Sequence, residues 1–155
     1  MTRLCSDVLV RLRDKGLTLA TAESLTGGGI GAALTAVAGA SDVYKGGVIS
    51  YVNAVKETLL GVPSETLTLY GAVSAQTAAA MASGVRELLK ADIAVSVTGL
   101  AGPGGDEFGH SVGTVFIGFL SDPIALVKEH RFEGDREEVR RQTVQAALNL
   151  ILDHI

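Results

Sequence analysis

The sequence lacks the large aromatic residues that many protein cores contain. It has no tryptophan, three tyrosines and four phenylalanines, although hydrophobic residues make up 47% of its 155 residues. The core must therefore consist mainly of valine, leucine, isoleucine and alanine, which favours closely packed helices on a sheet. The scarcity of aromatic side chains also argues against a base-stacking platform for single-stranded nucleic acid.

The chain also lacks an excess of positive charge. Its 13 lysines and arginines are outnumbered by 17 aspartates and glutamates, which gives a net charge of −4 at pH 7. Without a basic stripe, direct binding of nucleic acid is not expected. A small ligand with one phosphate group stays compatible with this charge, because local arginines and helix N-termini bind phosphate.

Cysteine and long apolar runs are scarce as well. The single cysteine, Cys5, excludes an internal disulfide and shares a helix face with Val8, Leu9 and Leu12, which predicts a small buried side chain. No apolar run approaches the roughly 20 residues of a membrane span, and the N-terminus lacks the apolar core of a signal peptide. We therefore expect a soluble, cytoplasmic protein with no membrane partner.

Hydrophobic periodicity predicts helices that alternate with strands. Helices are predicted over residues 3–15 and 30–38, and in a short stretch that Asn53 caps and that runs through Leu60. Two more are predicted, a longer one capped by Ser74 and one after a capping box formed by Asp135 and Glu138. Strands are predicted over residues 17–22, 46–52, 92–97, 113–120 and 124–132, the last two as a hairpin. This order predicts one α/β domain over residues 1–155, a three-layer α/β/α sandwich with a mixed, mainly parallel sheet.

A glycine-rich stretch, TAESLTGGGIG (residues 21–31), follows the first predicted strand. Gly27, Gly29 and Ala32 match a relaxed dinucleotide-binding fingerprint. However, Val52 and Asn53 stand where that site needs an acidic residue, so a dinucleotide site is disfavoured. The glycines either expose backbone N–H groups to a phosphate or an oxyanion, or only allow close packing of a helix on the sheet. The residues alone leave both open.

Ser24 in this stretch is either a turn or helix-capping residue or a nucleophile. The histidines are poorly placed to activate it: His110 lies in a long loop, His130 in a strand and His154 at the C-terminus. Lys56 is the other candidate base, because it follows a strand that is expected to end at the same sheet edge as Ser24. A partly desolvated lysine can take a hydroxyl proton, although a solvated surface lysine remains an alternative.

Two further groups of charged residues have open interpretations. Asp106, Glu107 and His110 lie in the Gly-rich loop over residues 98–112, where a solvated polar loop is favoured over a metal site. Arg136 and Arg140 are four residues apart, so they share one face of the final helix. They either make ordinary surface ion pairs or hold a phosphate or carboxylate.

Several segments occur together in an order that resembles the CinA C-terminal domain family. They are TAESLTGGGIG, GGVISYVNAVKETLLGV, GAVSAQTAAAMASG, VSVTGLAGPGG, VGTVFIGF and FEGDREEVR. The resemblance extends from about residue 5 to 152, and the molybdopterin-binding-like domain of longer members is not expected within these 155 residues. The sequence is similar to the stand-alone members, the nicotinamide-nucleotide amidases (NMN deamidases).

The resemblance implies hydrolysis of the carboxamide of nicotinamide mononucleotide, giving nicotinate mononucleotide and ammonia. It implies a serine-based mechanism that needs no metal and no cofactor. Ser24 matches the family's nucleophile, Lys56 would activate it, and Tyr51 would relay the proton or hold the lysine. Family members commonly have cysteine at the position of Leu25, so a cysteine mechanism at that position is excluded here.

The rest of the site combines this resemblance with the chemistry of amide hydrolysis, which needs oxyanion donors close to the nucleophile. The backbone N–H groups of Thr26, Gly27 and Gly28 would stabilise the oxyanion. The remaining matches would bind the ribose or the phosphate, and they are Thr98, Gly99, Arg136 and Arg140.

Two questions stay open at this point. The competing function is a non-catalytic module of the competence and damage-inducible family that binds a nucleotide or a partner protein. The small residues Ala78 to Ala82 either form an interface in a homo-oligomer or lie against the sheet.

Overall fold

The computed structural model describes residues 1–155 and contains the predicted alternation of helices and strands. The strands are β1 (Leu19–Glu23), β2 (Tyr44–Ile49), β3 (Ile93–Gly99), β4 (Thr114–Leu120) and β5 (Ala125–Arg131). The helices are α1 (Thr2–Lys15), α2 (Gly29–Thr35), α3 (Asn53–Leu60), α4 (Ser64–Tyr70), α5 (Ala75–Leu89) and α6 (Arg136–His154). The predicted α/β class is confirmed.

The strands form one mixed sheet in the order β2-β1-β3-β4-β5. Strand β1 pairs in parallel with β2 and β3, whereas β3–β4 and β4–β5 are antiparallel. The predicted hairpin is therefore confirmed, and parallel and antiparallel pairs are equal in number. Glu23 at the end of β1 is in register with Ile49 of β2 and Val97 of β3, so the C-terminal ends of these three strands meet at one edge.

Several helices begin or end at residues that suit a helix terminus, a left-handed glycine or a capping side chain. Helix α1 ends at Gly16 in the left-handed conformation, and Ser74 caps α5 by accepting a hydrogen bond from the N–H of Thr77. Asp135 and Glu138 form the predicted capping box at the start of α6. The predicted short helix through Leu60 is present as α3, but Asn53, the expected cap, is its first residue and makes no cap.

The core has one apolar layer on each face of the sheet. The larger layer packs α1, α2 and α6 against odd-numbered strand residues such as Leu19 and Val95, and the smaller one packs α5 against Ala20 and Ala94. Within α5, Ala78 and Ala82 are buried against the sheet, which agrees with the packing interpretation of the small residues. Leu88, near the C-terminal end of α5, is 49% exposed.

The loop between β3 and β4 leaves and returns at the same edge of the sheet. The N–H of Leu100 donates to the carbonyl of Thr114 at 2.9 Å, and the N–H of Gly113 donates to the carbonyl of Leu100 at 2.8 Å. Both ends of this 100–113 loop are thus fixed at the edge where β1, the neighbour of β3, also ends.

Two expectations about the whole chain can be compared with the structure. Cys5 is fully buried, and burial raises the pKa of its thiol, as expected of an inert core side chain. None of the helices has the length and apolar character that a membrane crossing requires.

Candidate active site

Ser24 and Lys56 form a hydrogen-bonded pair at the carboxyl edge of the sheet. The Lys56 Nζ atom lies 3.1 Å from Ser24 Oγ. Both side chains are buried, with 7% of Ser24 and 1% of Lys56 exposed. Ser24 directly follows β1, and Lys56 lies in the first turn of α3 after β2. The parallel pairing of these strands therefore brings together two residues that are far apart in sequence.

The backbone around Lys56 holds its amine in place. The carbonyl of Ser50, which follows β2, accepts a hydrogen bond from Lys56 Nζ at 2.7 Å. No carboxylate pairs with the amine, and burial lowers the pKa of Lys56 from 10.5 to about 8. A substantial fraction of Lys56 is therefore neutral near pH 8, and its lone pair can then accept the proton of Ser24.

The hydrogen-bond donors of the glycine-rich turn and of the start of α2 already bind a carboxylate of the protein, that of Glu23. Glu23 is 2% exposed, and its Oε1 accepts hydrogen bonds from Thr26 Oγ1 at 2.6 Å and from the N–H of Ile30 at 2.8 Å. Its Oε2 accepts from the N–H of Gly31 at 3.1 Å. The start of α2 is therefore bonded to the protein's own carboxylate, and the glycines do not present an open phosphate nest.

The turn after Ser24 carries the candidate oxyanion donors. Leu25 lines the cavity beside Ser24, whereas Thr26, Gly27 and Gly28 do not. The N–H of Gly27 donates to the carbonyl of Ser24 at 3.0 Å, so it is not free for a substrate. The N–H groups of Leu25, Thr26 and Gly28 donate to no protein atom, and of these three residues only Leu25 lines the cavity. The residue after a nucleophilic serine is also a common source of an oxyanion donor. Leu25 is thus the better placed donor.

A cavity of about 640 Å³ opens over the pair. This volume lies within the range usual for small-molecule sites. It joins the buried Ser24 and Lys56 to exposed aromatic side chains, Tyr51 and Phe108. Part of its wall comes from the 100–113 loop, which contributes the carboxylates of Asp106 and Glu107. The cavity therefore offers a reactive buried end and a wider polar opening.

The structure separates the roles of the two predicted arginines. Arg136 lines the cavity and donates to the carbonyl of Gly102 at 2.6 Å and to the hydroxyl of Tyr51 at 2.8 Å. Arg140 lies outside the cavity and donates to the carbonyls of Leu25 at 3.0 Å and Thr26 at 3.2 Å. Arg136 is therefore the one of the two that faces the cavity, while Arg140 supports the turn that follows Ser24.

Tyr51, Thr98 and Gly99 all line the same cavity, as the sequence suggested. The Tyr51 hydroxyl bonds to Arg136, so the group that holds the lysine is the Ser50 carbonyl and not the tyrosine. Thr98 is buried and donates to the carbonyl of Ala72 at 2.7 Å. Its oxygen lone pairs remain as acceptors.

Asp106 and His110 pair with each other in the 100–113 loop. Asp106 Oδ2 lies 2.7 Å from His110 Nδ1, while Oδ1 accepts from the N–H groups of Phe108 and His110. Burial raises the pKa of Asp106, but these hydrogen bonds outweigh it and the net pKa lies below its usual value. No group of three or more potential metal ligands occurs in the chain, and the pair serves to shape the loop.

Comparisons with known proteins agree with this architecture. The sequence model of the CinA C-terminal domain family matches residues 1–155. The chain belongs to this family. It is 50% identical over 139 residues to a putative competence-damage inducible protein of Desulforamulus reducens, covering 90% of this chain and 34% of that protein. It is 49% identical over 151 residues to a CinA-like protein of Synechococcus sp. strain RCC307, covering 96% and 36% of the two chains. The chain thus spans about a third of the length of these curated relatives.

Solved CinA structures have the same fold. The competence damage-inducible protein A of Klebsiella pneumoniae superposes with a TM-score of 0.97 at 37% identity, covering 99% of this chain and 95% of that one. The competence/damage inducible protein CihA of Agrobacterium tumefaciens superposes with a TM-score of 0.94 at 41% identity, covering 98% and 93%. The family and the fold are therefore shown by independent comparisons.

Sequence reasoning missed three parts of this site. Glu23 stands in the quoted motif beside Ser24, and an acidic residue at the end of a buried strand was the available signal for it. The Ser50 carbonyl and the Leu25 N–H are backbone groups, so no side-chain pattern marks them.

Proposed function

We propose that the chain hydrolyses the carboxamide of nicotinamide mononucleotide to nicotinate mononucleotide and ammonia. The observation that carries this proposal is the buried contact of 3.1 Å between Ser24 Oγ and Lys56 Nζ. The lowered pKa of Lys56, to about 8, supports it, because a serine nucleophile needs a base that is neutral near physiological pH. The substrate identity follows from the family resemblance of the motifs.

The reaction would proceed through an acyl-enzyme. Ser24 Oγ attacks the carboxamide carbon while its proton moves to Lys56 Nζ, which keeps its hydrogen bond to the Ser50 carbonyl. The N–H of Leu25 stabilises the negative oxygen of the tetrahedral intermediate. Lys56 then gives its proton to the departing nitrogen, and ammonia leaves. Water next attacks the ester, with its proton passing through Lys56 back to Ser24, and the carboxylate product is released.

Binding of the nucleotide would use the opening of the cavity. Arg136 would meet the phosphate, because its guanidinium lines the cavity and Arg140 does not. Tyr51 would hold Arg136 in position through their hydrogen bond of 2.8 Å. Thr98 and Gly99 would contact the ribose or the phosphate. The charge of Arg136 suits a phosphate group.

Ammonia release from nicotinamide mononucleotide, with chromatography of the product, tests this function. Ser24→Ala and Lys56→Ala should each lower kcat by at least about 10³-fold, because the nucleophile or its base is lost. Lys45→Ala is the matched control, since Lys45 is exposed on the edge strand β2 and lies outside the cavity.

Near-full activity of both Ser24→Ala and Lys56→Ala would exclude the mechanism. Binding of the nucleotide without turnover by the wild-type chain would instead favour the non-catalytic binding module.

A further inference from the structure

The buried carboxylate of Glu23 has no part in the chemistry described above. Strand residues alternate between the two faces of a sheet. Ser24 faces α3, which carries Lys56, and Glu23 faces the opposite side, where it bonds to α2. Glu23 is also absent from the cavity wall. It therefore cannot touch a substrate, and any effect on the reaction must pass through the turn of residues 24–28.

That turn is held from two sides. From one side, Glu23 Oε1 binds the hydroxyl of Thr26 at 2.6 Å. From the other, Arg140 binds the carbonyls of Leu25 and Thr26. Within this turn the N–H groups of Leu25 and Thr26 have no acceptor in the protein, and Leu25 is the one of the two that lines the cavity beside Ser24. A preorganised and unpaired donor is what an oxyanion site requires.

We propose that Glu23 is a positioning residue that orients the Leu25 N–H toward the oxyanion. The assignment rests on the proposed acyl transfer at Ser24. The carboxylate is needed in its charged form, because its two oxygens accept hydrogen bonds from one hydroxyl and two backbone N–H groups. A glutamine would turn an NH₂ group toward at least one of these donors, and the turn would shift.

Glu23→Gln tests this role with a nearly isosteric side chain. We expect kcat for ammonia release from nicotinamide mononucleotide to fall by about 10²-fold, the size of a lost oxyanion donor. KM should change by less than about threefold, because Glu23 does not line the cavity. Unchanged kcat, or a rise in KM alone, would overturn the proposal.

Asp92→Asn is the matched control for the loss of a charged acceptor. The Asp92 carboxylate also binds a threonine hydroxyl and a backbone N–H, both from Thr18, at 2.7 and 2.8 Å. It lies at the opposite end of β1 and β3, so kcat should stay near wild type. An equal fall of kcat in both variants would overturn the proposal, since it would indicate a general structural effect.

A second measurement, the rate at which Ser24 is labelled, does not require nicotinamide mononucleotide. In wild type, a fluorophosphonate should label Ser24: Oγ bonds to phosphorus, fluoride leaves, and the hydroxyl proton moves to Lys56. Glu23→Gln should slow this labelling by about the same factor as kcat, because both reactions need the oxyanion donor. Labelling at the wild-type rate would overturn the proposal. If the wild type is labelled but releases no ammonia, the proposed substrate fails and the role of Glu23 is still tested.

Thr26→Val keeps the test decisive if Glu23→Gln does not fold. It removes the hydroxyl that Glu23 holds and leaves the carboxylate and its bonds to α2 in place. We expect kcat and the labelling rate to fall by about 10-fold, as for loss of one hydrogen bond to a charged group. Wild-type values for both would overturn the proposal.

Discussion

Lys56 is buried and has no anionic partner. Its side chain is 1% exposed, yet no carboxylate compensates the buried amine. Burial therefore favours the neutral form, and the pKa falls to about 8. A neutral amine can still donate to the Ser50 carbonyl while its lone pair faces Ser24. The contact with the backbone thus fixes the lysine without raising its basicity as strongly as an anion would.

The pH dependence of the reaction should follow the protonation of Lys56. We expect kcat/KM to rise with pH and to level off above a midpoint at about 8, because only the deprotonated Lys56 accepts the proton of Ser24. Ammonia release measured from pH 6 to 10 checks the midpoint. A rate that is flat across this range would contradict the role of Lys56 as the base.

The two arginines should have different kinetic effects. Arg136→Met should raise KM for nicotinamide mononucleotide by about 10- to 100-fold, through loss of a charged contact with the phosphate. Its KM for nicotinamide riboside, which lacks the phosphate, should change little. Arg140→Met should instead lower kcat by about 10-fold, because the carbonyls of Leu25 and Thr26 lose their donor. Steady-state kinetics with both substrates measure the two effects, and the reverse assignment would contradict the proposed phosphate contact.

Among the helices, α3 depends on a close contact with α5 for its position. A Cβ atom on Gly84 of α5 would lie 1.8 Å from the carbonyl oxygen of Leu60, the last residue of α3. Only glycine permits this approach. Since α3 also carries Lys56, the packing of two helices sets the placement of the proposed base.

Gly84→Ala should therefore destabilise the protein, although alanine is the better helix former. Helix propensity alone would stabilise this variant by about 1 kcal/mol, whereas overpacking against the backbone of α3 should cost about 2 kcal/mol or more. Ser83→Ala, at an exposed position of the same helix, should leave stability nearly unchanged. Urea unfolding of the two variants measures the difference, and stabilisation by Gly84→Ala would show that the helices separate easily.

Much of this arrangement could be predicted from the sequence. The periodicity of α1, α5 and α6 and the capping residues marked the helices, since they depend on neighbours along the chain. The parallel strands predicted that Ser24 and Lys56 share an edge. The choice between Arg136 and Arg140 could not be predicted, because the two residues lie on one helix face. Their different partners follow only from how α6 packs beside the ends of β1 and β3.

At the scale of the whole chain, the buried Lys56 should make the free energy of unfolding depend on pH above about pH 8. Between about pH 8 and 10.5 the unfolded chain keeps a proton on Lys56 that the folded chain has released. Because the unfolded state then binds more protons, the free energy of unfolding should increase with pH in this window.

Lys56→Met should remove this contribution, because methionine does not titrate. Lys45→Met, at an exposed lysine, should retain it. Urea unfolding at several pH values between 8 and 10.5 checks the slope in each variant. An equal slope in wild type and Lys56→Met would contradict the lowered pKa.

The antiparallel return of β4 determines how much of the structure a change in the length of the 100–113 loop would move. Because the 100–113 loop begins and ends at one edge of the sheet, held by the bonds between Leu100, Gly113 and Thr114, its interior can vary in length without moving a strand. Ser24, directly after β1, and Lys56, in α3, lie outside that loop. The proposed reactive pair and this stretch of the cavity wall are therefore separate parts of the chain. A designer could exchange the interior of the loop, and so reshape one wall of the cavity, while Ser24 and Lys56 stay in place.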